Sequence, residues 1–211
     1  MRHLPAVFAS TVLALVASAG EPTSPSDYAV LSDEARTGSA FVVRHADHLL
    51  GVATVHQFDG KVPTQFESTD GRAIRLDPDS VHKQKDVQAL KLIDQKSDVQ
   101  FLEYDATFRI SSDDEIIILG PAGREIEAHI PDQDLLEGDD YESDWGAYSL
   151  DFTASEPFDV SNMTGCPVLL KSTGKVIGVL LTTSRPIKAT RGEFETLCLT
   201  IDEKAHSAQP K

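Results

Sequence analysis

The chain has 211 residues, with 19 Lys and Arg against 34 Asp and Glu for a formal net charge of −15, and 40% of its residues are hydrophobic. That apolar content, spread along the length, excludes a disordered acidic protein and predicts a folded core. The acidic balance excludes a general binder of phosphate backbones, which needs clustered Lys and Arg to release counterions, so nucleic acid is not an expected partner.

At the N-terminus, Arg2 and His3 lead an uncharged apolar stretch from Leu4 to Val16, and Ala17-Ser18-Ala19 follows as a small-x-small cleavage site. The stretch is short for a transmembrane helix, and Glu21, Pro22 and Pro25 come directly after it. The pattern predicts a cleaved export signal over residues 1–19; a core helix or an uncleaved anchor is the alternative. The mature protein is then expected to be secreted or periplasmic, without membrane contact once the signal is removed. Removal takes away Arg2 and no acid, which makes the mature chain more acidic.

In chain order, short runs rich in Val, Ile, Leu, Thr and Phe predict strands at 41–43, 49–55, 64–68, 73–76, 87–93, 115–119, 125–130, 148–152, 167–170, 176–183 and 194–201. Asp59-Gly60, Asp70-Gly71, Thr173-Gly174 and Arg191-Gly192 stand between runs as turn dipeptides. Residues 125–130 alternate polar and apolar, as a strand with one wet face does. Helical periodicity is absent, so the expected class is all-β, a sandwich or a pair of barrels. Residues 131–144 read PDQDLLEGDDYESD and fit no calcium-loop template. They are expected to form a solvated surface loop, with a cation-binding loop as the alternative. The tail 202–211 is polar and expected to fray.

The two cysteines, Cys166 and Cys198, match no zinc or redox spacing. In an exported chain they close one disulfide if their Cα atoms lie within ~7 Å, or remain two buried thiols; the sequence leaves both open. There is no CxxC, HExxH, P-loop or dinucleotide fingerprint, and neither a metal nor a cofactor is expected.

Three ordered segments bear on chemistry. The first is Gly38-Ser39-Ala40-Phe41-Val42-Val43, followed by Leu50-Gly51-Val52-Ala53-Thr54-Val55-His56. The second is Lys85-Asp86-Val87-Gln88-Ala89-Leu90-Lys91-Leu92. The third is Asn162-Met163-Thr164-Gly165-Cys166-Pro167-Val168, running on to Gly174-Lys175-Val176-Ile177-Gly178-Val179. Together they resemble the chymotrypsin-fold (trypsin-like) serine proteases, whose segments read GSGFVV, TAAH, DIALLKL, GNSGGPV and GEVIGV. His56 and Asp86 are 30 residues apart and Asp86 and Thr164 are 78 apart, similar to the compact bacterial high-temperature-requirement proteases. The segment from Asp114 to Pro121 also looks like the GDEVYAIGYP strand that opens their second barrel.

The resemblance covers roughly residues 37–201 and implies two antiparallel β-barrels, here 28–110 and 111–203, forming one peptidase domain that acts on protein or peptide substrates. It implies His56 as general base, Asp86 as the acid that fixes its tautomer, and position 164 as nucleophile. Asp98, which opens the look-alike segment Asp98-Val99-Gln100-Phe101-Leu102, competes with Asp86. The oxyanion hole falls to backbone N–H groups of the 162–165 turn, with Asn162 as one donor and Thr164 or Gly165 as the other. Glu156 to Asp159 would lie near the base of a specificity pocket, with an apolar Phe158 favouring a shallow site and Asp159 a basic side chain.

The chain departs from the family pattern where catalysis is most demanding. Thr164 replaces the nucleophile serine, and its added methyl restricts χ1. Asn162 replaces a glycine of the oxyanion loop, and Cys166 replaces the second glycine after the nucleophile. Two readings follow from these changes: an endopeptidase that uses threonine, and an inactive pseudoprotease that serves as a binding module.

Overall fold

The computed structural model describes residues 29–31, 37–68, 71–95, 99–105, 114–120, 124–130, 147–159, 163–181 and 188–198. The expected export signal, the acidic run, Asp98, Asn162 and the tail lie outside the described residues, as does the side chain of Cys198.

The described elements are strands, apart from 3-10 turns at His56–Phe58 and Pro78–Ser80. The N-terminal half holds β1 (Ala29–Leu31), β2 (Thr37–Ser39), β3 (Phe41–His45), β4 (His48–Thr54), β5 (Gln65–Glu67), β6 (Ala73–Arg75), β7 (His82–Gln84), β8 (Val87–Lys91) and β9 (Leu102–Glu103). The C-terminal half holds β10 (Ile116–Gly120), β11 (Arg124–His129), β12 (Ala147–Asp159), β13 (Pro167–Leu170), β14 (Lys175–Leu181) and β15 (Lys188–Cys198).

In the C-terminal half each strand pairs with two neighbours, and the order β10-β11-β12-β15-β14-β13 closes on itself. The closing ladder is β10 against β13, with Ile118 opposite Val168 and Ile116 opposite Leu170. On β11 the alternation works as expected: Ile126 and Ala128 point inward, while Glu125, Glu127 and His129 face solvent. The strands β12 and β15 run well beyond their expected lengths because they pair with each other. Their register shifts between Thr153 and Phe158, and Pro157, which has no N–H for a ladder, falls inside that irregular stretch. Arg191-Gly192, expected as a turn, lies instead within β15 opposite Thr153 and Phe152, because this pairing overrides the local turn preference of glycine.

The N-terminal half departs from the expected barrel. Its described strands form a four-stranded sheet, β2-β1-β5-β6, and a five-stranded sheet, β7-β8-β4-β3-β9. The two are joined at one corner, where Asp77 N donates to Lys91 O at 2.9 Å and Ile93 N donates to Arg75 O at 3.0 Å. The expected antiparallel rule also fails at the seam between halves. Strand β9 runs parallel to β3, and Tyr104 forms a parallel bridge with Val176 of β14. A polar outward face is missing from β4, which is buried along Leu49–Thr54 and covered on both sides. That is why its sequence reads as a continuous apolar run.

One core cluster fills the N-terminal half and takes in Leu119, Leu169, Val176 and Val179 from the C-terminal half. A second, around Ile118, Ile126, Leu150, Phe152, Met163 and Val168, fills the barrel. The shared first cluster makes the seam part of a hydrophobic interior. Within it Gly51 is a contact point: a Cβ there would stand 2.7 Å from the Phe66 ring and 2.8 Å from Leu76. Both side chains are buried, so neither can withdraw freely. Gly51→Ala is expected to cost about 1–3 kcal/mol, read as a lowered midpoint in urea unfolding.

Candidate active site

The acid of the site is placed by a tight hairpin. Strands β7 and β8 pair Gln84 with Val87, which leaves Lys85 and Asp86 as the two turn residues, with Lys85 at φ 48°. Strand β8 then pairs with β4 up to Thr54 opposite Val87, so Asp86 arrives beside the residues that follow β4. Val55 N donates to the Asp86 carbonyl at 2.6 Å, and His56 N donates to Asp86 Oδ1 at 2.9 Å. The other carboxylate oxygen, Oδ2, meets His56 Nδ1. A carboxylate only accepts, so this contact puts the imidazole proton on Nδ1 and leaves Nε2 as the basic nitrogen. The His56 side chain is 51% exposed and that of Asp86 30%, so the pair opens to solvent on one side. Of the two candidate acids, Asp86 is the one the described residues bring to His56.

The nucleophile candidate sits in the turn between β12 and β13. Thr164 is buried, with 8% of its surface exposed. Its carbonyl accepts from Ser39 N at 3.1 Å and from Gln57 Nε2 at 2.9 Å. Gln57 directly follows His56, so the turn that carries Thr164 is tied to the turn that carries His56. Gly165 has φ 84°, the left-handed region that glycine tolerates best, and a Cβ there would lie 2.0 Å from the Ser39 carbonyl oxygen. Its N–H donates to Leu180 O at 2.9 Å. The N–H expected as one possible oxyanion donor is thus committed to Leu180 of β14.

Cys166 is a free, fully buried thiol. For this residue, then, the free-thiol alternative holds. Burial pushes its pKa from the ordinary 9.0 up to about 12, against a smaller opposing hydrogen bond from the Ser39 side chain. Contact with Ser39 gives this departure from the family pattern a structural use, a side chain reaching across the seam where a glycine would reach nothing.

The expected pocket residues divide. Phe158 is buried in the barrel core, edge-to-face with Phe152 at 5.5 Å and beneath the Arg124 guanidinium at 5.1 Å. Glu156 and Pro157 are exposed, and the Asp159 side chain lies outside the described residues. Among the described residues, no group of three or more His, Cys, Asp or Glu side chains is arranged to hold a metal ion, and no helix is long and apolar enough to cross a membrane. Gln57 is the site residue that sequence reasoning missed; nothing in its composition or spacing marks it. Ser39 lies within the first motif segment, where no sequence signal marks it as a contact of Thr164.

No protein-family model and no curated protein matches this sequence. Solved structures do. Kallikrein-related peptidase 10 superposes with a TM-score of 0.54 at 10% identity, over 84% of this chain and 90% of that one. The fold is that of the trypsin-like serine proteases. The structure of GrC matches with a TM-score of 0.50 at 14% identity, over 83% of this chain and 90% of that one. An inactive form of Rv3671c from M. tuberculosis matches with a TM-score of 0.53 at 18% identity, over 96% of this chain and 98% of that one. Within this shared fold the turn that follows β4, with His56 and Gln57, is tied to the Thr164 turn through Gln57.

Two outcomes test this account. Gly165→Ala is expected to destabilise the chain by about 3 kcal/mol in urea unfolding, because the new methyl must displace backbone at a strained φ. For Cys166, the unfolded thiol ionises before the folded one, so its contribution to stability is present below pH 9.0 and is lost as pH rises towards about 12. Unfolding midpoints measured across that interval should fall more steeply for the wild-type chain than for Cys166→Ala.

Proposed function

We propose that the chain is an exported endopeptidase of the trypsin-like kind, hydrolysing peptide bonds in protein or peptide substrates through His56, Asp86 and Thr164. The observation that carries this reading is the two-point grip of Asp86 on His56, one carboxylate oxygen on the backbone N–H and the other on Nδ1. A grip of this form leaves Nε2 to act as a base.

In this reading Nε2 takes the Thr164 hydroxyl proton as Oγ1 attacks the scissile carbonyl. Asp86 stabilises the imidazolium that forms. The backbone N–H groups of Asn162 and Thr164 stabilise the oxyanion, each such donor typically being worth ~3–4 kcal/mol. The imidazolium then returns its proton to the leaving amine, and water repeats the sequence on the acyl-enzyme. The methyl of Thr164 slows attack by limiting the rotamers that aim Oγ1 at the base.

A second reading, a binding module without turnover, draws on the small exposure of Thr164 and on the side chain of Cys166, which takes up room in a turn that is glycine in the family. Labelling with a fluorophosphonate probe separates the two. The wild-type chain should label slowly, Thr164→Ser on the order of a hundredfold faster, and Thr164→Ala not at all. Absence of labelling in both the wild-type chain and Thr164→Ser, each shown folded by thermal melting, would overturn the peptidase in favour of the binding module.

A further inference from the structure

We infer that Gln57 is a positioning residue that sets the geometry between base and nucleophile. The inference rests on the reading of Thr164 as nucleophile. Both ends of the Gln57 carboxamide are engaged: Oε1 accepts from Thr54 N at 3.2 Å and Nε2 donates to Thr164 O at 2.9 Å. The chemistry fixes its orientation, because an N–H can be met only by the oxygen and a carbonyl only by the NH2 group. One planar group therefore joins the end of β4, which leads into His56, to the carbonyl of the nucleophile itself.

The surroundings are fitted to this group. A Cβ on Gly165 would stand 2.9 Å from Gln57 Oε1 and 3.0 Å from Nε2, so the absence of a side chain at 165 makes room for the carboxamide. Ser39 N, at 3.1 Å, fills the remaining acceptor site of the Thr164 carbonyl. With both lone pairs used, the Thr164 backbone is held against the N-terminal half at two points. One of them, Gln57, is covalently adjacent to His56. Among the described residues the bonds made by Gln57 go to backbone groups, so its effect is on the rate of the chemical step and not on substrate affinity.

Gln57→Glu keeps an acceptor for Thr54 N and loses the donor to Thr164 O, whereas Gln57→Leu loses both. Amide hydrogen exchange of the 163–166 segment is expected to speed up on the order of fivefold in both variants, with strand Val87–Lys91 unchanged. Fluorophosphonate labelling should show a maximal inactivation rate lowered by about tenfold or more, with the probe's half-saturating concentration unchanged. In the wild-type chain, the Gln57 carboxamide protons should exchange more slowly than those of a solvent-exposed glutamine, a measurement that does not depend on either variant folding. Unprotected carboxamide protons, or wild-type exchange at 163–166 in both folded variants, overturns the inference. Labelling of both variants at the wild-type rate does so as well. If the wild-type chain does not label but 163–166 loosens as expected, the peptidase reading fails while the tie between the two turns stands.

Discussion

One backbone oxygen ties together the turns of two halves that pack over a shared core. The Thr164 carbonyl receives Ser39 N from one N-terminal sheet and the Gln57 side chain from the turn after β4, while the next residue, Gly165, sends its own N–H back to Leu180 inside the barrel. That short segment therefore belongs to both halves at once. A hydrogen bond of this kind contributes only about 1 kcal/mol net. Its value here is geometric: it is made over a shared apolar cluster in which Leu119, Leu169, Val176 and Val179 pack against the N-terminal core. Burial supplies the affinity between the halves, and the polar contacts decide the register in which they lock.

Much of this was legible in the sequence because the relevant signals are short-range. The apolar run of β4, the alternation of β11 and the strand that begins at Val87 each depend on a handful of neighbouring residues, and each appears where the local pattern puts it. The pairing of His56 with Asp86 came from a different source, the resemblance to the trypsin-like proteases, which left Asp98 as a competing acid; among the described residues it is Asp86 that meets His56. What escaped was whatever depends on a distant partner. Arg191-Gly192 reads as a turn until β12 lies beside it, and β12 itself looks short until β15 pairs along its length. Strand β9 has two residues and exists only because β3 accepts it in parallel. Gln57 is unreadable for the same reason, because its partner lies 107 residues away and many polar side chains suit a half-buried turn.

The departures from the family motif also look different once they are placed. Cys166 reads in the sequence as a lost glycine or as half of a disulfide. In the fold it is a buried thiol whose sulfur meets Ser39, the residue whose N–H holds Thr164. The substitution thus falls on the same junction and adds a contact to it. Thr164 differs in kind, because its extra methyl lies on the side chain expected to react, and no rearrangement of the turn removes the restriction on χ1.

The ladder that closes the barrel has a consequence for how the molecule comes to be. It joins Ile116 to Leu170, residues far apart in the chain, with β11 and β12 lying between them in sequence. Bringing such distant segments together costs chain entropy before any contact offsets it, and topologies dominated by these pairings fold slowly. Thr164 lies just ahead of that closing strand, while His56 and Asp86 reside on a hairpin array whose contacts are closer in sequence. The His56–Asp86 pair can therefore assemble early, with the Thr164 turn joining it as the barrel shuts. The junction at the Thr164 carbonyl is thus among the last contacts that such a topology completes.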